Sequence, residues 1–103
     1  GEVTALTSAA TVTIDLANSN NYSCTMAHNI TFANPTNAVA GQSGSIFLTQ
    51  DGTGGRTGSW DGNWDWAAGT APTLTTTAAA VDRIDYVVRT ATSIQAVATL
   101  NLS

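Results

Sequence analysis

Apolar and polar residues alternate with a period of two along most of this chain, the spacing of a β-strand with one buried face. In "TVTIDL", Val12, Ile14 and Leu16 fall on one side and Thr11, Thr13 and Asp15 on the other. "NYSCTM" repeats the pattern, with Tyr22, Cys24 and Met26 against Ser23 and Thr25. "NITF" sets Ile30 and Phe32 together, and "GSIFLTQ" reads as a more buried strand because Ile46, Phe47 and Leu48 are consecutive. "AVDRIDYVVR" and "SIQAVATLNL" form a last pair joined through Thr90 to Ser93. In the final strand Ile94, Ala96, Ala98, Leu100 and Leu102 are expected on one face. Thr and Val dominate these runs, as strands prefer.

Turn chemistry separates the runs. "NSNN" (Asn18–Asn21) divides the first two, and "NPTNAVAGQ" (Asn34–Gln42) is a longer loop in which Pro35 fixes φ and removes a ladder donor. "DGTGG" is expected to be a hairpin turn formed by Asp51, Gly52, Gly54 and Gly55, since Asp-Gly between apolar runs is a strong hairpin signal. "AGTAPT" (Ala68–Thr73) is another loop, and only "TTTAAAVD" (Thr75–Asp82) offers a helical turn. No internal repeat or linker is visible. The expected architecture is all-β: residues 1–103 as a single antiparallel β-sandwich of jelly-roll type.

Composition narrows the function. Only 10% of the residues are charged, against about 25% in an ordinary soluble domain. Lysine is absent, Arg56, Arg83 and Arg89 are the fixed positive charges, and the formal net charge is -4. Nucleic-acid binding needs several cations to neutralise phosphates, so no nucleic-acid partner is expected. No apolar run reaches the roughly 18 residues of a membrane helix, and no signal-peptide pattern opens the chain. A lone Cys24 makes no intrachain disulfide. A surface of Thr, Ser, Asn and Ala, so poor in charge, tends to self-associate, which raises the expectation that copies of the chain cover one another.

Reaction chemistry finds little footing. A phosphate loop needs a lysine, and the Rossmann glycine spacing fails because Thr57 stands where the third glycine belongs. Asp61, Asn63 and Asp65 match the first three ligands of a calcium loop, but Trp66 takes the glycine position and no glutamate follows. Weak Ca²⁺ binding there stays open beside the simpler reading of a hydrogen-bonded turn. One Cys and one His do not make a usual zinc site. "GQSGS" (Gly41–Ser45) has its serine out of register for a nucleophile elbow and precedes a strand. His28 is the lone histidine, Cys24 alternates with core residues, and Asp82 and Asp85 read as solvated or cross-strand partners of Arg83. The expectation is a protein that is not an enzyme, with no cofactor, metal site or catalytic residue. Trp60, Trp64 and Trp66 have two readings: core or subunit interface, where tryptophan is enriched, or contacts to a glycan.

"NPTNAVAGQ", "QDGTGGRT" and "GTAPTLTTTAAAVD" (Gly69–Asp82) occur in that order in a family this chain resembles: the small β-domain of bacteriophage virion proteins, which serve as tail fibre, head fibre or capsid decoration (cement) proteins. The likeness is specific from Asn34 to Asp82, looser upstream, and weak after Asp85. In the family "RT" runs on into a hydrophobic strand, whereas here Gly58 and Ser59 precede Trp60. The resemblance implies a non-enzymatic, β-rich domain on the exterior of the phage particle, commonly a homotrimer. Because 103 residues leave no room for a shaft, a decoration protein bound to the major capsid protein is the first expectation. A fibre domain touching a host-surface glycan or receptor is the second.

Overall fold

Strands alternate between two sheets as the chain proceeds. The computed structural model describes residues 1–102. Its strands are β1 (Val3–Ala5), β2 (Thr11–Val12), β3 (Asn21–Met26), β4 (Ile30–Phe32), β5 (Ser43–Gln50), β6 (Gly58–Trp60), β7 (Trp64–Trp66), β8 (Val81–Thr90) and β9 (Ser93–Thr99), with one 3₁₀ turn at Ala67–Gly69. Strands β1, β3 and β5 pair in parallel in a six-stranded sheet, and β2, β4 and β6 pair in parallel in a three-stranded sheet. The chain therefore winds through three coils, each adding one strand to each sheet. Beyond β6 the winding stops. Strand β8 pairs antiparallel with β5, β9 antiparallel with β8, and β7 parallel with the far side of β9, giving the order β1-β3-β5-β8-β9-β7.

The all-β expectation agrees with this structure, but its antiparallel pairing is corrected. Antiparallel ladders are confined to β5–β8 and β8–β9, and the remaining pairs are parallel. Alternation tells which side of a strand is buried; it carries no information on the direction of the neighbour. The coils are also of unequal length. Asn21 stands beside Val3 but Ile46 beside Tyr22, so no fixed period marks the winding in the sequence.

The two sheets share one core. Tyr22, Cys24 and Met26 of β3, Ile30 and Phe32 of β4, Ile46 and Leu48 of β5, Ile84, Tyr86 and Val88 of β8, and Ile94 and Ala96 of β9 are all buried in it. Val12, Ile14 and Leu16 join them, although regular pairing covers only Thr11–Val12 and a single bridge joins Asp15 to Thr36. Three details depart from the pattern read in the sequence. Phe47 is half-buried and turned away from Ile46 and Leu48, because β5 keeps strict alternation. Leu100 and Leu102 leave the core face: β9 ends at Thr99, Asn101 takes φ 56°, and both leucines are exposed. "TTTAAAVD" forms a turn, with Ala79 at φ 63° and the Ala80 amide on Thr77 O, before β8 begins.

The described chain covers its own core. Its accessible surface is 5164 Å², against roughly 5,400 Å² for a folded monomer of this mass. The radius of gyration is 12.6 Å, against about 13 Å for a self-contained domain of this length. Association between copies would then join preformed surfaces and not interlace chains.

One corner shows how tightly the coils are tied. The Asn18–Asn21 loop folds over the start of β5, and Gly44 lies directly beneath it. A Cβ added at Gly44 would sit 1.8 Å from Asn20 O. The Tyr86 hydroxyl donates to Asn20 O at 2.7 Å, the Tyr22 hydroxyl donates to Asp15 O at 2.6 Å, and Gln42 Nε2 donates to Leu16 O at 2.8 Å. Burial pushes both phenols up, Tyr86 to about 12.

Two outcomes follow from this corner. Gly44→Ala should destabilise the domain by about 3 kcal/mol or more and lower the thermal midpoint by more than ~10 °C, whereas Gly62→Ala, with nothing within 4 Å of the new Cβ, should be tolerated. Tyr86 contributes to the alkaline response. Its folded pKa lies above the unfolded value near 10, so its contribution is complete below pH 10 and is lost as pH rises toward 12. Tyr86→Phe should cost about 1 kcal/mol at pH 7 and flatten the stability loss between pH 10 and 12, read by urea unfolding.

Candidate functional site

The glycine-rich stretch between β5 and β6 is a corner between sheets. Both edges of β5 are already occupied, by β3 and β8, so the chain leaving Gln50 has to cross to the three-stranded sheet. The hairpin expected at "DGTGG" is corrected on that ground. Asp51 Oδ1 accepts the amides of Thr53 and Gly54 at 3.1 and 3.0 Å, and Arg56 Nη2 donates to Asp51 Oδ2 at 2.8 Å. The Arg56 guanidinium holds the Asp51 carboxyl below its ordinary range. Gly54 and Gly55 take φ 72° and 77°, and a Cβ on Gly54 would meet Thr76 O at 2.7 Å. Gln50 is buried and closes the loop from inside, donating to Arg56 O and Thr75 O and accepting the Arg56 amide. The Asp51 carboxylate and the Gln50 amide are thus both used within this corner.

The tryptophans meet one another. Trp60 stacks on Phe32 with ring centroids 4.3 Å apart, and Trp64 and Trp66 each approach Trp60 edge-on at 4.9 Å. Trp64 is buried and donates Nε1 to Ala33 O at 3.0 Å. Trp60 and Trp66 are half-buried against the core, and their indole nitrogens are enclosed without a hydrogen-bond acceptor. Within this cluster Trp60 is in contact on several sides, which leaves no broad stacking platform there.

The D-x-N-x-D residues take separate partners. Asp61 O accepts the Trp64 amide, the Asn63 amide donates to Asn34 Oδ1, and Asp65 Oδ2 accepts from Ser93 Oγ. Among the described residues no group of three or more His, Cys, Asp or Glu is placed to hold a metal ion. His28 is exposed and shares a hydrogen bond with Ser8 Oγ. Cys24 lies in the core, where burial pushes its thiol up. Asp82, expected to be solvated or a cross-strand partner of Arg83, is instead buried, where it accepts the amides of Thr75 and Asn101 and pins the loop before β8 to the chain after β9. Asp85 does pair with Arg83, at 3.0 Å, and also accepts from Ser45 Oγ.

A concave site lies on the outer face of the six-stranded sheet, where β7, β9 and β8 run side by side. It has a volume of about 480 Å³ and is bordered by Asp65, Trp66, Ala67, Asp85, Tyr86, Val87, Gln95, Ala96 and Val97. Val87 and Val97 are 51% and 62% exposed. Cross-strand register sets Val87 beside Gln95, Gln95 beside Asp65, and Val97 beside Asp85. The result is an apolar floor flanked by one amide and two carboxylates. Outward parity of Val97 followed from the face expected for Ile94, Ala96 and Ala98; its convergence with Val87 and Asp65 did not, because it depends on β7 crossing back to β9.

A family model described as "Putative phage tail fibre C-terminal domain" matches residues 6–89. No curated protein and no solved structure matches the chain. The matched span runs from just after β1 through nearly all of β8, and leaves out β9, which supplies Gln95 and Val97 to the concave site. The chain belongs to this family of phage tail fibre domains and is a structural component of a bacteriophage particle.

Proposed function

We propose that the chain is the host-contacting end domain of a phage tail fibre, a non-enzymatic part that acts by binding and by association with copies of itself. The observation that carries this reading is the concave site over β7, β9 and β8. Its volume falls in the usual range for small-ligand sites, roughly 300–1,000 Å³. The C–H groups of Val87 and Val97 suit the apolar face of a sugar ring. The Gln95 amide and the Asp65 and Asp85 carboxylates suit its hydroxyl rim. A host-surface glycan is the ligand class this combination fits. Trp66 borders the site from the core side, where it packs with Trp60 and Trp64, so the tryptophans support the site in this reading.

Capsid decoration was the first expectation because a shaft does not fit in 103 residues. A family described as a C-terminal domain removes that objection, since the rest of a fibre then belongs to other parts of the polypeptide. Homotrimeric assembly remains part of the proposal. It is supported by a surface with few charges to oppose contact between copies.

Antibody-gold labelling of intact particles should mark the tail and leave the capsid shell bare; labelled shells would overturn the fibre reading. The purified domain should adsorb saturably to host cells and sediment as a trimer at high micromolar concentration. Gln95→Ala together with Val97→Ser should weaken adsorption at least ~10-fold with an unchanged thermal midpoint. Unchanged adsorption would remove the concave site from the proposal.

A further inference from the structure

The two sheets end differently at their two ends. At one end the six-stranded sheet continues from β5 into the antiparallel β8–β9 hairpin, and β6 carries Trp60 against Trp64 and Trp66. At the other end both sheets stop on a free edge, β1 in one and β2 in the other.

The direction of these edges can be read from their hydrogen bonds. The Leu6 amide donates to Ser23 O, and β4 donates Thr31 N to Ala10 O and Ala33 N to Val12 O. In a parallel ladder alternate residues face opposite edges. The amides of Val3 and Ala5 in β1, and of Thr11 and Thr13 along β2, therefore point outward. None of these four is bonded within the described chain. The edges also lack the usual guards against pairing. Glu2 is the sole charge among the first 14 residues, and none of them is proline. Val3 is 48% exposed beside them.

We infer that this open end is a docking surface for one further parallel coil, contributed by the fibre polypeptide that leads into this domain. Two observations select that occupant. Each coil of the winding places a strand in the three-stranded sheet before crossing to the next strand of the six-stranded sheet, so a preceding strand falls on the free edge of β2. The matched family is described as a C-terminal domain, which puts the remainder of a fibre on the N-terminal side, where both edges are open. A second copy related by a two-fold axis would instead pair edge to edge in antiparallel fashion. The inference rests on the fibre reading and adds the way in which the domain is joined to its shaft.

Hydrogen–deuterium exchange by mass spectrometry on the peptide covering residues 1–14 tests it, comparing the intact fibre protein with the 103-residue chain. The expected result is exchange at least ~10-fold slower in the fibre, with no dependence on concentration in the isolated chain. Equal rates in both would overturn the inference. So would protection in the isolated chain that grows with concentration, since a second copy would then cover the edge. Ala5→Pro removes an outward donor and no ladder bond of the domain. It should leave the isolated chain's thermal midpoint unchanged and abolish part of the protection in the fibre. Gold labelling of the particle tests the fibre reading separately, so failure of one is distinguishable from failure of the other.

Discussion

Strand β5 is the constraint on which the architecture depends. It takes β3 in parallel on one edge and β8 antiparallel on the other, so it is both the last strand that the winding adds to this sheet and the strand on which the β8–β9 hairpin builds. With both edges filled, the chain beyond Gln50 has no free place beside it and must cross to the other sheet. The "DGTGG" corner, the internal use of Gln50 and Asp51, and the placement of β6 beside β4 all follow from that exclusion. So does the position of β7, which reaches the six-stranded sheet only at its far side, next to β9. The concave outer site exists because β7 lands there.

Faces were legible in the sequence and partners were not. Alternation in Val12–Ile14–Leu16, in Tyr22–Cys24–Met26, and in Ile30 and Phe32 correctly assigned the buried side, because burial acts residue by residue. Direction and register depend on long-range pairing, which leaves no mark at short range. Asp51–Gly52 illustrates the difference: the turn it forms is real, yet whether a turn makes a hairpin is decided by whether β5 has an edge to offer. Phe47 was drawn into the core by its apolar neighbours, and Leu100 and Leu102 by parity alone. The buried Asp82 was invisible for a similar reason. Its two partners, the amides of Thr75 and Asn101, come from segments that meet only in the folded chain.

The paucity of charge takes on a local meaning in this fold. Arg56 is held by Asp51 in the corner and Arg83 by Asp85 on the sheet, and Arg89 donates to Ser93 beside Asp65. The positive charges thus serve internal contacts. Outside the concave site with its Asp65, Asp85 and Gln95, what the outer sheet face offers a partner is Ser, Thr, Asn and Val, with Phe47 half-exposed among them. Such a surface lacks long-range electrostatic steering and recognises by shape, hydrogen bonding and apolar contact. That is suited to a particle component whose partners are presented at high local density, either neighbouring copies or a repetitive cell surface.

Parallel winding through β3 and β5 is the feature from which the corner, the outer site and the open end all follow. Through-space contacts across these two strands, measured by solution NMR, test it most directly. Backbone contacts joining Tyr22 to Ile46 and Met26 to Gln50 are predicted by the parallel register. Contacts joining Tyr22 to Gln50 and Met26 to Ile46 would show an antiparallel pair and contradict it.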